Sequence, residues 1–170
     1  MKIFSRQYFD ELLVSANQSG RLRAHANLHL AYSDPCQKLF NLIKAESYIR
    51  PHRHSLDPKE ECLLAVAGLF SLITFSDDGI IESINLFGSE KYLQTSSIAF
   101  GLELPADIWH TVIPLTDQSI LFEVKSGPFD PGAAKELAPW APEEGSQEAI
   151  SYLSQLKEIS QSVFAALFCK

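Results

Sequence analysis

Two histidines, His52 and His54, follow a proline and flank a single arginine. In a β-strand, residues i and i+2 point to the same face, so both imidazoles can reach one point while the arginine faces away. Glu61 follows behind a turn-rich connection that can return the chain beside these histidines. Further along, a proline-led turn enters the β-rich segment that carries His110. The predicted ligands of one metal ion are His52, His54, Glu61 and His110.

Three imidazoles and one carboxylate form a donor set that suits a borderline divalent ion, such as zinc, iron(II), nickel, cobalt or manganese. Because only four ligands come from the protein, water or substrate can also bind, which is typical of a reactive site rather than a closed structural one. The alternative is that these are isolated surface or capping histidines. The combined spacing favours the metal site, since Gly68 stands seven positions beyond the carboxylate and a proline precedes the distant histidine.

The elements that must position these ligands are predicted to be short antiparallel strands between two helices. A capping serine, an apolar stripe and a following glycine indicate a helix from Ser5 to Ser19. From Arg23 the apolar period changes to two, and short strands separated by turn signals follow as far as Lys125. One of them, Ser47–His54, carries the two neighbouring histidines. No long helix interrupts this region, so we expect an antiparallel sheet without βαβ crossovers.

The chain is long enough for a single domain with one sizeable core. The expected divisions of this mainly β domain, residues 1–170, are a helix at 1–20, a β-barrel or double-sheet jelly roll at 21–126, a proline-rich tail at 127–145 and a second helix at 146–168. Large apolar residues from Ile150 to Leu167 form a stripe on the second helix. This stripe either covers its own barrel or needs a partner, and a twofold homodimer is the expected assembly.

The composition argues against several classes of function. The formal net charge of −7 argues against a general nucleic-acid binder and against docking on an anionic membrane. The apolar runs are too short to span a bilayer, and the first residues turn polar without a signal-peptide core. The three cysteines are scattered and follow no disulfide or zinc-binding pattern. A reduced, cytoplasmic protein is therefore expected.

The two histidine motifs resemble those of the cupins, although Glu61 stands further from His54 than is usual and Ala106-Asp107 replaces a common glycine. Within the cupins, the chain resembles the WbuC family of metalloproteins over about residues 21–145. The stretches that carry this resemblance are 27–29, 37–41, 47–54, 109–112, 122–129 and 138–143. The resemblance implies a double-stranded β-helix, a bound metal and an occasional association with surface-polysaccharide (O-antigen) synthesis. It implies no established reaction.

Several polar residues are candidates for substrate binding because they share faces of the predicted strands. They are Asn27, Gln37, Asn41, Tyr48 and Arg50. Tyr48 and Arg50 have the facing of the two neighbouring histidines and should extend the same wall, where an arginine suits a carboxylate or phosphate. The alternative for the early strands is a hydrogen-bonded polar patch on an outer sheet face.

Three further residues are candidates for moving a proton. Glu123 and Lys125 alternate with apolar neighbours, and the family resemblance includes them, so we expect an inward acid/base pair rather than a solvated face. His29 is the third candidate, and it could instead be a further metal ligand or a partner of one.

The leading functional hypothesis is an enzyme that acts on a small polar molecule, such as a sugar or a sugar nucleotide. The metal would polarise a carbonyl or hydroxyl group or activate water. One alternative is a non-catalytic module that binds or senses a metal-chelating small ligand. Another is a metal-free sugar epimerase, although such chemistry needs a base and an acid rather than four convergent ligands. The fold does not decide among them.

Overall fold

The computed structural model describes residues 1–168, which form two five-stranded sheets flanked by two helices. In chain order the elements are α1 (Arg6–Gln18), β1 (Arg23–Asn27), β2 (Cys36–Lys44), β3 (His52–Arg53), β4 (Glu61–Ala67), β5 (Leu69–Phe75), β6 (Ile81–Gly88), a 3₁₀ helix (Glu90–Tyr92), β7 (Gly101–Leu104), β8 (Trp109–Pro114), β9 (Gln118–Ser126), β10 (Glu136–Leu137) and α2 (Gln147–Ala166). The predicted mainly β fold with a helix at each end is confirmed.

The strands pass repeatedly from one sheet to the other, as they do in a jelly roll. One sheet has the strand order β1-β2-β9-β4-β7, and the other has the order β10-β3-β8-β5-β6. The paired strands within both sheets run antiparallel. The expected antiparallel jelly roll is therefore confirmed.

Apolar side chains from both sheets meet in the interior and hold the sheets together. The buried members of this core are Ile43, Leu63, Phe70, Leu72, Phe87, Leu104, Val112 and Leu121. Phe70 and Phe87 stack with their ring centroids 5.1 Å apart. Each fully buried side chain of this size contributes about 1.5–3 kcal/mol relative to an exposed one. The core therefore supplies a rigid base on which functional side chains can be placed.

α1 covers the outer face of the first sheet. The Ser5 side chain accepts a hydrogen bond from the Tyr8 amide and caps the helix, as the sequence predicts. Leu12 and Ala16 are buried against Phe40 on the outer face of β2. The predicted apolar stripe thus covers a sheet of its own chain.

α2 covers the second sheet in the same way. Leu153 and Leu156 are buried against Ile73 of that sheet. Ile150 and Ile159, which belong to the predicted stripe, remain 63% and 41% exposed. The stripe is therefore divided, because only the part that faces its own sheet is covered.

The predicted strand Ser47–His54 is only partly formed, since β3 contains two of its residues. Tyr48 Oη and Arg50 Nη2 instead donate hydrogen bonds to carbonyls of the proline-rich tail, at 3.1 and 2.8 Å. Pro51 lacks an amide proton and cannot contribute a donor to a ladder. The tail in turn forms β10, which pairs with β3 and brings residues 134–137 close to the histidines.

Gly68 joins β4 to β5 with a φ of +88°, a conformation that few other residues adopt. A Cβ there would lie 2.7 Å from Thr116 Oγ1 and 2.8 Å from Ser119 Cβ. We expect Gly68→Ala to lower the free energy of unfolding by about 2 kcal/mol, because left-handed strain adds to this overlap. Urea unfolding measures the effect. In the control Gly20→Ala the Cβ meets nothing within 4 Å, so equal stability of the two variants would contradict the prediction.

The cysteines that the structure describes are free thiols: Cys36 is exposed and Cys62 is half-buried. Cys169 lies outside the described residues. Between residues 1 and 168, neither helix is both long enough and apolar enough to cross a membrane.

Candidate metal centre

Three buried imidazoles meet where the two histidine motifs come together. His52 of β3 is paired directly with His110 of β8, and His54 follows β3 immediately. Their exposed fractions are 8%, 2% and 7%, respectively. One ring nitrogen of each lies within 4.8 Å of the other two. The antiparallel register thus brings together histidines that are far apart in the sequence.

The Nδ1 atom of each ring is hydrogen-bonded to a backbone carbonyl. The pairs are His52 with Arg50 at 3.0 Å, His54 with Ala134 at 2.6 Å and His110 with Ile108 at 2.8 Å. A carbonyl can only accept, so these bonds place the ring proton on Nδ1 and leave the lone pair on Nε2 free. Metal-binding histidines are oriented in this way by their surroundings.

Glu61 begins β4 and adds a carboxylate to the three rings. Its Oε1 lies 3.0 Å from Nε2 of His54, and its Oε2 lies 3.7 Å from Nε2 of His110. Two ligands at ~2.1 Å from one ion are ~3.0 Å apart at right angles and ~3.4 Å apart in tetrahedral geometry. The contact with His54 is not aligned as a hydrogen bond, and this buried Nε2 has no hydrogen-bond partner within residues 1–168. The three histidines therefore fit a divalent transition ion, while Glu61 contacts two of them but is outside the group whose ligand atoms all lie within 4.8 Å of one another.

The protonation states of the donors also suit a metal. Burial lowers the pKa of His52 well below its usual value, and it lowers the pKa of His110 against the opposing charge of Glu61. Burial alone would raise the pKa of Glu61, but its contacts with His54 and Lys125 hold that pKa well below its usual range. At neutral pH the two rings are neutral and the carboxylate is ionised, as metal ligands must be.

The histidines face a cavity of about 320 Å³ between the sheets. Along β4 the cavity-lining residues change from Leu63 to Glu61, and along β8 they change from Val112 to His110. β9 follows the same pattern, from Leu121 to Glu123, whereas on β2 the apolar Leu39 lies between Gln37 and Asn41. Because alternate residues of a strand share a face, the interior is divided into an apolar end, which is the core, and a polar end, which is the site.

Most of the other predicted site residues line this cavity, namely Asn27, His29, Gln37, Asn41, Glu123 and Lys125. Tyr48 and Arg50 do not line it, since Tyr48 packs in the core beneath α2 and Arg50 contacts the tail. Ile49 lines the cavity instead. The prediction that Tyr48 and Arg50 face the cavity is wrong because it assumed a regular strand. Ile49 and His52 both line the cavity although they are three positions apart, so the alternation of side chains is interrupted between them.

The polar residues of the cavity wall differ in what they can offer a ligand. Gln37 Nε2 donates to three backbone carbonyls between residues 31 and 34, at 2.8–3.3 Å, and thus holds the loop between β1 and β2. Asn41 Oδ1 and His29 Nε2 are buried without a hydrogen-bond partner in the described part of the chain. His29 Nδ1 contacts the backbone of Lys38 at 3.1 Å, and His29 is outside the converging group of three histidines.

Lys125 lies between two carboxylates in the cavity wall. Its Nζ is 2.9 Å from Glu61 Oε1 and 3.0 Å from Glu123 Oε1. Burial raises the pKa of Glu123, the charge of Glu61 raises it further, and Lys125 opposes both. Burial would lower the pKa of Lys125, but the two carboxylates raise it above its usual value. Lys125 therefore stays charged and fixes the position of Glu61.

Two cavity residues, His25 and Lys135, are absent from the predicted set. His25 precedes Asn27 by two positions on β1, so the period-two pattern was a usable signal for it. Desolvation in the cavity, followed by the charges of Arg21 and Arg23, lowers the pKa of His25, although part of its side chain is exposed. Lys135 lies in the proline-rich tail, where no periodicity predicts which side chains face inward.

Solved structures share this arrangement of strands. Protein SO0799 from Shewanella oneidensis is 14% identical with a TM-score of 0.58, covering 89% of this chain and 94% of that chain. CapF, solved with the inhibitor 3-isopropenyl-tropolone, is 16% identical with a TM-score of 0.50, covering 70% of this chain and 32% of CapF. CapF is a cupin-fold protein. The fold of the present chain is that of the cupins.

Oxalate decarboxylase from Bacillus subtilis is 14% identical with a TM-score of 0.49, covering 68% of this chain and 27% of that chain. The present chain thus spans about a third or less of CapF and of oxalate decarboxylase. A family described as "Domain of unknown function (DUF6016)" matches residues 4–86. A comparison with curated proteins found no match. At these identities, the likeness to solved structures concerns the fold alone.

Proposed function

We propose that this cupin binds one divalent transition metal and acts as a metal-dependent enzyme on a small polar molecule. The proposed ligands are His52, His54, His110 and Glu61. The observation that carries the proposal is the set of three Nδ1–carbonyl bonds, which leaves three buried Nε2 lone pairs close together. Without an ion, these nitrogens and a buried carboxylate would be hydrogen-bond acceptors that face one another with no donor between them, which is unfavourable.

A bound ion would polarise a carbonyl or hydroxyl group of the ligand or activate water. The chain's own residues would orient the ligand and move its protons. Asn41 and His29 each offer an unpaired polar atom for orientation. Glu123 lines the same cavity, and burial and the charge of Glu61 raise its pKa, which favours a role in proton exchange. Lys125 would lie between Glu123 and Glu61 and offset the repulsion between them.

Elemental analysis of the full chain, purified without added metal, tests the proposal directly. About one divalent transition ion per chain is expected. Substitution with cobalt(II) gives a second readout, since its visible spectrum reports the ligand set without any assay of activity. A chain that carries no ion, and takes up none when offered zinc, iron(II) or cobalt(II), contradicts the proposal.

We further propose that the chain functions as a cupin of the WbuC family in surface-polysaccharide synthesis. In support, the stretches of resemblance supply much of the cavity wall, including Asn27, Asn41, His110 and Glu123. Loss of the gene in its host should change the length or composition of the surface polysaccharide. An unchanged polysaccharide would contradict this assignment.

We propose a cytoplasmic, twofold homodimer whose interface is on the barrel. The candidate interface comprises exposed apolar side chains on β4 and on the segment before β7, with Leu64 and Val66 each 41% exposed and Phe100 61% exposed. Light scattering should give twice the mass of the chain, and Leu64→Glu should give a monomer. Ile150→Glu on α2 is the matched control and should remain dimeric. A monomeric wild-type chain contradicts the proposal.

A further inference from the structure

Lys135 is a cavity-lining cation whose charge is not paired. Arg21 and Arg23, which also line the cavity, share the carboxylate of Glu144 at 3.3 and 2.8 Å. Lys125 is paired with two carboxylates, as described above. Lys135 forms no ion pair or hydrogen bond with any residue between 1 and 168. Its ammonium is therefore available to a ligand.

The backbone on both sides of Lys135 is fixed. The carbonyl of Ala134 accepts the hydrogen bond from Nδ1 of His54 at 2.6 Å. Glu136 is paired with Arg53 across the β10–β3 ladder, with 2.8 Å between Oε2 and Nε. Lys135 is thus held in the cavity wall beside a proposed metal ligand. Lys135 itself is exposed, but its backbone is held on both sides by these contacts.

The cavity is electropositive within an acidic protein. The chain carries a formal net charge of −7, yet the cavity wall contains four basic side chains, Arg21, Arg23, Lys125 and Lys135. Three carboxylates oppose them, namely Glu61, Glu123 and Glu144. A divalent ion at the histidines would add two further positive charges. The basic groups exceed the carboxylates by one, and an excess of positive charge in a cleft concentrates anionic ligands.

The uncharged polar atoms of the cavity wall can form hydrogen bonds with hydroxyl groups of the same ligand. Asn41 Oδ1 and His29 Nε2 are buried and unpaired, and a buried polar atom without a partner is costly until a ligand satisfies it. His25 lines the same cavity. A volume of about 320 Å³ is at the lower end for ligand cavities. It favours a monosaccharide-sized molecule over a sugar nucleotide.

We infer that the ligand is a small polyhydroxylated anion, a sugar phosphate or a sugar acid, whose oxyanion pairs with Lys135. Its hydroxyl groups bond to Asn41 and His29. This inference rests on the proposed function, because it assigns a substrate class to the same cavity. Lys135 is a binding residue in this assignment, and the metal ligands are not needed for its charge to act.

Calorimetric titration of the full chain with glucose 6-phosphate, gluconate and glucose tests the inference. At least one of the two anions should bind about tenfold or more tightly than glucose, since a charged hydrogen bond in a cavity has an effect of this size. Lys135→Gln should remove most of that preference and leave glucose binding unchanged. Lys91→Gln is the matched control, because Lys91 is an exposed lysine on the 3₁₀ helix, outside the cavity.

The outcomes separate the inference from the proposed function. Equal affinity for the anions and glucose, or an anion preference that survives Lys135→Gln, overturns the inference even when the chain holds its metal. An anion preference that depends on Lys135 in a chain unable to bind metal supports the inference and overturns the metal proposal. Glucose 6-phosphate is a cyclic phosphate ester and gluconate is an open-chain carboxylate, so their ranking identifies which of these two ligand types the site prefers.

Discussion

Replacement of His110 by alanine is expected to abolish stoichiometric metal binding while the chain stays folded. His110 is 2% exposed and supplies one of the three convergent nitrogens. Loss of one imidazole should weaken metal affinity more than ~100-fold, because even the partners that orient metal ligands are worth 10–100-fold. His52→Ala should behave in the same way. Metal content after gel filtration and a competition titration with a chelator measure the effect, and circular dichroism reports the fold.

His25 and His29 provide matched controls for this experiment, because both line the same cavity outside the convergent group. His25→Ala and His29→Ala should retain about one ion per chain. Full metal content in His110→Ala would show that the site is elsewhere. Loss of metal in His29→Ala would instead identify His29 as a further ligand, the alternative that the sequence left open.

Lys125→Met should lower the free energy of unfolding of the metal-free chain by about 3–5 kcal/mol. Lys125 is in contact with Glu61 and Glu123, and the three side chains are only 13%, 7% and 15% exposed. Removing the ammonium leaves two buried carboxylates close together without the lysine that pairs with both of them. Addition of the metal should restore part of the loss, because the ion supplies positive charge to Glu61. Urea unfolding with and without metal measures both effects.

Two variants distinguish this electrostatic effect from a loss of packing. Lys38→Met removes an exposed lysine from β2 of the same sheet and should change stability by less than about 0.5 kcal/mol. Adding Glu123→Gln to Lys125→Met should recover about 1–2 kcal/mol, because one of the uncompensated charges is gone. Equal stability of the single and double variants would contradict the electrostatic explanation.

Local rules were sufficient to predict the convergent side chains. The i, i+2 spacing of His52 and His54 and the turn before Glu61 are properties of a short segment. Asn27, Asn41 and Glu123 lie on three different strands. On each strand, polar and apolar residues alternate, which predicts that the polar side chain shares a face with the residues two positions away. Such rules depend on backbone geometry alone, so they hold before the packing of the two sheets is known. The antiparallel jelly roll with its terminal helices followed from the same periodicity and is confirmed.

The rules were insufficient wherever a contact depended on the proline-rich tail. Tyr48 and Arg50 were expected in the cavity, but their partners are tail carbonyls, which turn both side chains away from it. Lys135 enters the cavity because β10 pairs with β3 and because Ala134 accepts a hydrogen bond from His54. Neither the tail nor the segment before β3 has a periodic pattern of apolar residues, so the sequence does not predict which of their side chains face the cavity.

The sequence by itself therefore determined the fold class and the residues that can carry the chemistry, because strand periodicity and turn residues act over short distances. Only the tertiary structure decided the orientation of the three histidine rings and the pairing of Lys125 with two carboxylates. It also decided that Lys135 lines the cavity without an ion-pair partner among residues 1–168. Each of these depends on contacts between segments far apart in the chain. Such contacts form only when the interior is packed, and spacing along the sequence does not encode them.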